Sequence, residues 1–149
     1  MLIQKWMKFV KTIIKILLTA IFLMIAAGLN GGMDMLVHHY HQSFAKYYDL
    51  NESFWNPSIS WKNKYVNQNL DEGRKQIDLS IISFDVPVLF TDGWHLLKAI
   101  MLLFIFLVPA IWIPGKWWKK SLSFIAFVFL WTLSFETVYN KKFEKETVG

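Results

Sequence analysis

The chain of 149 residues contains no cysteine and little charge. Without cysteine, disulfides, thiolate metal sites, iron–sulfur clusters, cysteine nucleophiles and covalently attached c-type haem are all excluded. Charged residues make up 18% of the chain, against roughly 25% in a typical soluble domain. Hydrophobic residues make up 54% and aromatic residues 17%, which excludes a disordered chain. Because a domain of this size has too little interior to bury so much apolar surface, the composition predicts a membrane protein.

Three apolar stretches are each long enough to cross a bilayer as a helix, which takes about 20 residues. They are residues 16–37, 94–113 and 121–139. The sequence therefore predicts an all-α membrane protein, with one membrane domain over residues 1–149, three transmembrane helices and a long outer loop at residues 38–93. The first stretch also has the basic start, apolar core and small residues of a cleaved signal peptide, an alternative that the sequence leaves open.

The lysines predict how the three helices are oriented. Seven of them lie at the same predicted ends of the spans: Lys5, Lys8, Lys11, Lys15, Lys116, Lys119 and Lys120. Basic residues near spans are enriched on the cytoplasmic side. We therefore expect a multi-pass protein of the cell membrane, with its amino terminus in the cytoplasm and with the long loop and the carboxyl terminus outside. The net charge of +5 then reflects topology, and we expect no nucleic-acid partner.

Residues 33–49 continue the helical periodicity of the first span beyond the membrane edge. Asp34, His38 and His41 stand at i, i+4 and i+7, which places them on one face of a helix. A carboxylate and two imidazoles suit Zn, Mn or Fe, so the spacing predicts a site for a divalent metal ion as the candidate cofactor. The alternative is a helix end that faces water, because short matches of Asp and His often arise by chance.

The middle of the outer loop combines cations with aromatic rings. Asn56 and Pro57 predict a turn, and Trp61, Lys62 and Lys64 follow it. The two ammonium groups would attract lipid phosphates or another anion as point charges. The alternative is a polar loop packed on the belt of aromatic residues at the outer membrane boundary.

The last part of the loop is apolar but too short to cross the membrane. Residues 79–90 are interrupted by Asp85 and Pro87. A transmembrane helix needs about 20 apolar residues, so we expect this segment to lie along the membrane interface.

Ionisable residues also stand at the predicted outer ends of the spans. Asp92 is a predicted helix N-cap, His95 lies in the first turn of the second span, and Glu136 lies near the outer end of the third. Ionisable groups at membrane depth are costly and mark functional sites. We predict one polar cluster of Asp34, His38, His95 and Glu136. The candidate acid–base residues are Asp92, His95 and Glu136. For Asp92 the alternative is a plain cap.

Two segments carry a resemblance to a family. They are NPSISWKNKY, residues 56–65, and FTDGWHLLK, residues 90–98. With these motifs the chain resembles a group of small, uncharacterised integral membrane proteins of bacteria and phages, over about residues 38–98. The resemblance implies a shared motif at the outer face and no particular reaction.

Two functions fit these patterns. The first is a small polytopic membrane protein with a polar site at the outer face, which binds or acts on lipid headgroups. The second is a non-catalytic membrane subunit or interaction protein whose outer loop docks a partner. No HExxH, GxSxG or complete phosphatase signature is present, so the sequence leaves open whether the protein is an enzyme. Because three spans bury little surface, we expect a homo-oligomer or a larger membrane complex, besides membrane lipids as partners.

Overall fold

The computed structural model describes residues 2–80 and 82–143, without the side chains of residues 82, 136 and 138–143. Of this part of the chain, 79% is helical. The α-helices are α1 (Leu2–His38), α2 (Phe44–Tyr47), α3 (Glu52–Trp55), α4 (Pro57–Ser60), α5 (Gly93–Trp112) and α6 (Trp117–Phe143). Short 3-10 helices lie at Tyr40–Gln42, Trp61–Lys64, Val66–Gln68, Leu70–Glu72 and Val88–Phe90. Strands β1 (Gln76–Leu79) and β2 (Ile82–Asp85) form an antiparallel hairpin.

Helices α1 and α5 are long and apolar enough to cross a membrane. At 1.5 Å per residue they extend for about 55 Å and about 30 Å, and the second length equals the hydrocarbon core of a bilayer. In their most apolar 18-residue windows, only 6% and 17% of the residues are buried inside the protein. Such exposure is unlike that of the core helix of a soluble protein, and it agrees with the predicted membrane character of the chain.

Helix α6 covers the third predicted span. It has 27 residues, so it extends for about 40 Å. Most of its described side chains between Leu122 and Phe135 are exposed, and many of them are large and apolar.

The chain divides into two compact units. The first contains residues 1–23 and 104–149. In it, the indole Nε1 of Trp112 donates a hydrogen bond of 2.9 Å to the hydroxyl of Thr19. The ammonium group of Lys15 lies 5.5 Å from the ring centroid of the same tryptophan. Phe106, 8% exposed, packs edge-on against Trp131 of α6 at 5.8 Å.

The second unit contains residues 24–103, and its core lies where the end of α1, helix α2 and the start of α5 meet. The buried apolar residues of this core are Met33, Leu36, Ala45 and Leu97. Phe44 and Trp55 pack against them. The backbone of Gly32 lies beside this core, since a Cβ at that position would be in ordinary van der Waals contact with Phe44 at 3.6 Å and with Leu97 at 3.7 Å.

The predicted helical extension over residues 33–49 is right up to His38, where α1 ends, and wrong beyond it. His39 leaves the helical conformation with φ −139° and ψ 42°, and a 3-10 turn follows. The chain then reverses so that Phe44 and Ala45 pack on the core of the second unit. Burial of these apolar side chains favours the reversal over a longer helix that would leave them in water.

The second predicted span, residues 94–113, contains a proline, Pro109. It lies inside α5, which continues to Trp112. Proline is tolerated in membrane helices, because neighbouring helices and small local adjustments satisfy the backbone groups that it frees.

The outer loop contains a β-hairpin that the sequence did not predict. Backbone pairing joins β1 to β2 from Gln76 opposite Asp85 to Leu79 opposite Ile82. Ser80 in the connection has a φ of +46°, as the two-residue turns of hairpins require. The expectation of an all-α chain is therefore right for most of the described residues, and wrong for this part of the loop.

Candidate functional site

The structure brings Asp92 and His95 together at the start of α5. The Oδ1 atom of Asp92 accepts a hydrogen bond of 2.9 Å from the backbone N–H of His95, so the predicted N-cap is confirmed. The Oδ2 atom lies 2.7 Å from Nδ1 of the His95 ring and 3.3 Å from the hydroxyl of Thr91. The Asp92 side chain is 4% exposed and that of His95 is 32% exposed. A buried carboxylate thus orients an imidazole that reaches the surface.

The surroundings keep the carboxyl group of Asp92 ionised. Burial raises its pKa, but the hydrogen bonds and charge of His95, together with the hydroxyl of Thr91, lower the pKa by more, to below its ordinary value. Because an ionised carboxylate only accepts hydrogen bonds, a neutral His95 must carry its proton on Nδ1. The ring nitrogen Nε2 then has a free lone pair and can act as a base or accept a hydrogen bond.

The side chain of Asn63 connects the three segments around this pair. Its amide nitrogen donates a hydrogen bond of 2.7 Å to the backbone oxygen of Ser53 and another of 2.9 Å to that of Thr91. The 3-10 turn Trp61–Lys64 is therefore held against the residues that precede α5. Each of the two carbonyl oxygens gains a partner that no regular secondary structure supplies.

Trp55 packs directly on the backbone of Gly93, the first residue of α5. A Cβ at Gly93 would lie 2.8 Å from the Cδ2 and Cζ3 atoms of the indole, and closer still to a third ring atom. The ring is held in turn by Phe44 and Phe54, which pack edge-on against it with centroids at 5.4 Å. Only glycine leaves room for this arrangement, so position 93 links the loop to the start of the helix.

Three lysines near this region lie over aromatic rings. The ammonium groups of Lys62, Lys64 and Lys98 are 5.7, 5.4 and 4.8 Å from the ring centroids of Trp61, Tyr65 and Trp94 respectively. The ring of Trp94 also packs edge-on against the imidazole of His95 at 5.0 Å. Lys62 and Lys64, which were predicted to attract anions, thus each form a cation–aromatic pair. Both lysines belong to the turn that Asn63 fixes next to Thr91.

The predicted metal site is not formed. Asp34 and His38 lie on α1 and are exposed, whereas His41 follows the end of that helix and does not share its face. Asp34 accepts a hydrogen bond of 3.4 Å from the amide of Asn30. Among the side chains that the structure describes, no group of three or more His, Asp or Glu is arranged to hold a metal ion.

The structure describes the side chains of three of the four residues in the predicted cluster, namely Asp34, His38 and His95. His95 takes Asp92 as its partner. In the part of the chain that the structure describes, neither Asp34 nor His38 forms an ion pair. Residue 136 belongs to α6 by its backbone, and the Glu136 side chain lies outside the described part.

Asn63 and Trp55 hold this site together, but the sequence did not assign them to it. Their partners are distant in the chain, since Asn63 and Thr91 are separated by 28 positions. The one local signal is the glycine that directly follows the capping Asp92, because a residue without a side chain permits close approach of a ring. Comparisons with protein-family models, with curated proteins and with solved structures found no match to this chain.

Proposed function

We propose that the chain is an integral membrane protein with three spans, α1, α5 and α6, whose loop at residues 38–93 lies outside the cytoplasmic membrane. Lys15 lies over the ring of Trp112, so the basic start of α1 is next to the carboxyl-terminal end of α5. That end leads into a second basic segment, residues 116–120. Two basic segments at one level support an inner side there.

We further propose that the outer face binds phosphate-bearing lipid headgroups, with Asp92 and His95 as an acid–base pair. The observation that carries this proposal is the pair itself, a buried carboxylate 2.7 Å from a partly exposed imidazole. A protonated His95 would donate from Nε2 to a phosphate oxygen, and a neutral one would accept a proton there from water or a hydroxyl group. Lys62 and Lys64 would add positive charge beside it.

Headgroup binding is tested by native mass spectrometry of the purified protein with added phosphatidylglycerol or phosphatidylcholine. We expect the double substitution Lys62→Gln and Lys64→Gln to weaken phosphatidylglycerol binding about tenfold, since each lysine near a lipid surface contributes to the attraction. The matched comparison uses single substitutions: Lys62→Gln and Lys64→Gln are each compared with Lys46→Gln, which removes the same charge from another exposed lysine of the loop. Equal effects of the three single substitutions would contradict a specific site.

An action on the headgroup, rather than binding alone, is tested with His95→Gln. Radiolabelled lipid extract is incubated with the protein in proteoliposomes, and water-soluble phosphate compounds are counted. An enzyme is supported if the parent chain turns over lipid, His95→Gln abolishes this turnover, and His39→Gln, at an exposed histidine, leaves it intact. Absence of turnover in the parent chain would leave a lipid-binding protein.

One observation favours the second function, a non-catalytic subunit whose loop docks a partner. Many polar side chains of the loop serve its own fold: Asn51 and Asn56 cap the short helices α3 and α4, and Asn63 joins loop segments. In that case Asp92 is only a cap. His95→Gln would then preserve both lipid binding and assembly with the partner, whereas disruption of the loop fold would abolish assembly.

A further inference from the structure

The hairpin of the outer loop has one apolar and one polar face. Side chains on a strand alternate between the faces of the sheet, and directly paired residues share a face. Ile77 pairs with Phe84, and Leu79 lies on the same face two residues further along β1. The pairs Gln76 with Asp85 and Asp78 with Ser83 form the other face.

The apolar face is not covered by the rest of the described chain. Ile77 is 38% exposed, Leu79 is 59% exposed and Phe84 is 42% exposed. An isolated two-stranded hairpin is marginally stable at best in water and needs a surface to pack against. Contiguous exposed apolar residues of this kind mark contacts with a membrane or with another protein.

Backbone hydrogen bonds attach the hairpin to the folded part of the loop. The N–H of Lys75 donates to the oxygen of Lys64 at 2.9 Å, and the N–H of Val86 donates to the oxygen of Lys75 at 2.8 Å. The segment that contains Lys64 is held in turn to Thr91 through Asn63. The hairpin is therefore part of the same structure as the start of α5 rather than a free excursion.

The start of α5 is where the chain enters the lipid in the proposed topology. β2 ends at Asp85 and α5 begins at Gly93, so seven residues join them, a span of about 25 Å at most. Phe90 in this connection is 68% exposed. The apolar phase within reach of the hairpin is thus the outer leaflet of the membrane.

The charges agree with this placement. The carboxylates of the hairpin, Asp78 and Asp85, belong to the polar face, away from lipid phosphates. Lys75 and Arg74 precede β1, and Arg74 forms an exposed ion pair of 3.4 Å with Asp85. Basic residues beside an apolar surface are typical of segments that lie in the interface of an anionic membrane.

We infer that the apolar face of the hairpin, formed by Ile77, Leu79 and Phe84, is inserted into the outer leaflet and anchors the loop to the lipid surface. The inference rests on the proposed topology, and it explains how the Asp92–His95 pair would be held at headgroup level. The occupant of the face is lipid, and neither a second copy of the chain nor a soluble partner is needed.

The test uses the absence of native cysteine. Leu79→Cys and Asp78→Cys are labelled with a nitrobenzoxadiazole fluorophore in vesicles of phosphatidylcholine and phosphatidylglycerol. We expect quenching by lipids with a spin label high on the acyl chain to be about threefold stronger at position 79 than at its neighbour, because adjacent residues face opposite sides. Iodide in the aqueous phase should give the reverse order, and Phe84→Cys with Ser83→Cys should repeat the pattern.

Equal lipid quenching at positions 78 and 79 would overturn the inference. A second result would also overturn the inference: position 79 is shielded from iodide but not quenched by lipid, and two chains cross-link by a disulfide through Leu79→Cys. A second copy of the chain would then cover the face. Because Leu79 is exposed, its substitution leaves the core intact. The proposed headgroup site can fail separately, if the Lys62 and Lys64 substitutions leave phosphatidylglycerol binding unchanged while the alternating quenching pattern persists.

Discussion

Gly93→Ala tests whether the packing of Trp55 on the start of α5 holds the outer loop in place. The new Cβ would lie 2.8 Å from two atoms of the indole, and the ring cannot move freely because Phe44 and Phe54 hold it. Overpacking of this kind costs about 2–3 kcal/mol. Alanine recovers part of this through its helix propensity, by less than about 1 kcal/mol, because position 93 is the first residue of the helix.

The assay measures local opening of the loop in proteoliposomes through Ser60→Cys, placed at a side chain that is 1% exposed. When opening is fast, the rate of thiol labelling follows the fraction of open molecules. A net cost of about 1–3 kcal/mol raises this fraction about 5- to 150-fold. The matched control is Gly28→Ala, because no atom lies within 4 Å of a Cβ at that position.

A labelling rate in Gly93→Ala equal to that of the parent chain would refute the reasoning, provided that Gly28→Ala is also unchanged. The coupling is checked further in the Trp55→Ala background. There the indole is absent, and Gly93→Ala should add little to the opening already caused by the loss of the ring, since substitutions of residues in contact are not additive.

Three further predictions concern the same loop and the topology. Asn63→Ala removes the partner of two backbone carbonyl groups at a cost of about 1–3 kcal/mol, so thiol labelling should rise by a factor of about 5 or more, whereas Asn30→Ala, whose amide donates to the exposed carboxylate of Asp34, should change it little. Because the folded pKa of Asp92 lies below its ordinary value of 3.8, the stability that it contributes is present above about that pH and lost as the pH falls further. The protection factor of the His95 backbone amide, which corrects hydrogen exchange for its intrinsic pH dependence, should fall there in the parent chain; in Asp92→Asn it should be lower at neutral pH and nearly independent of pH. A cysteine at Asn67 should react with an impermeant thiol reagent in intact cells and one at Gly115 should not, and the opposite pattern would invert the proposed topology.

The local features of the chain were largely predictable. Asp92 caps α5 as expected, because a capping carboxylate needs only the backbone N–H groups a few residues ahead. Asn56 and Pro57 begin a helical turn at the predicted turn, since proline suits the first helical position. The sequence shows that residues 79–90 are apolar and too few to span a membrane. It did not predict that they contribute to a hairpin, because strand pairing depends on a partner segment.

The candidate site was predictable only where its residues are close in sequence. The pairing of Asp92 with His95 follows from their spacing on one helical turn. The prediction that Asp34, His38 and His41 share one helical face is wrong, because it assumed that α1 continues beyond His38. Hydrophobic periodicity does not predict the chain reversal that packs Phe44 against the core.

Composition and hydrophobic runs by themselves determined that this is a mostly helical chain with helices suited to a membrane, because a bilayer demands long apolar segments whose backbone groups are satisfied within the segment. Only the tertiary structure decided which loop segments meet. The contact of Trp55 with Gly93 and the hydrogen bond from the amide of Asn63 to Thr91 each join residues far apart along the chain. Such contacts depend on how folded segments pack against one another, and local propensity carries no information about that.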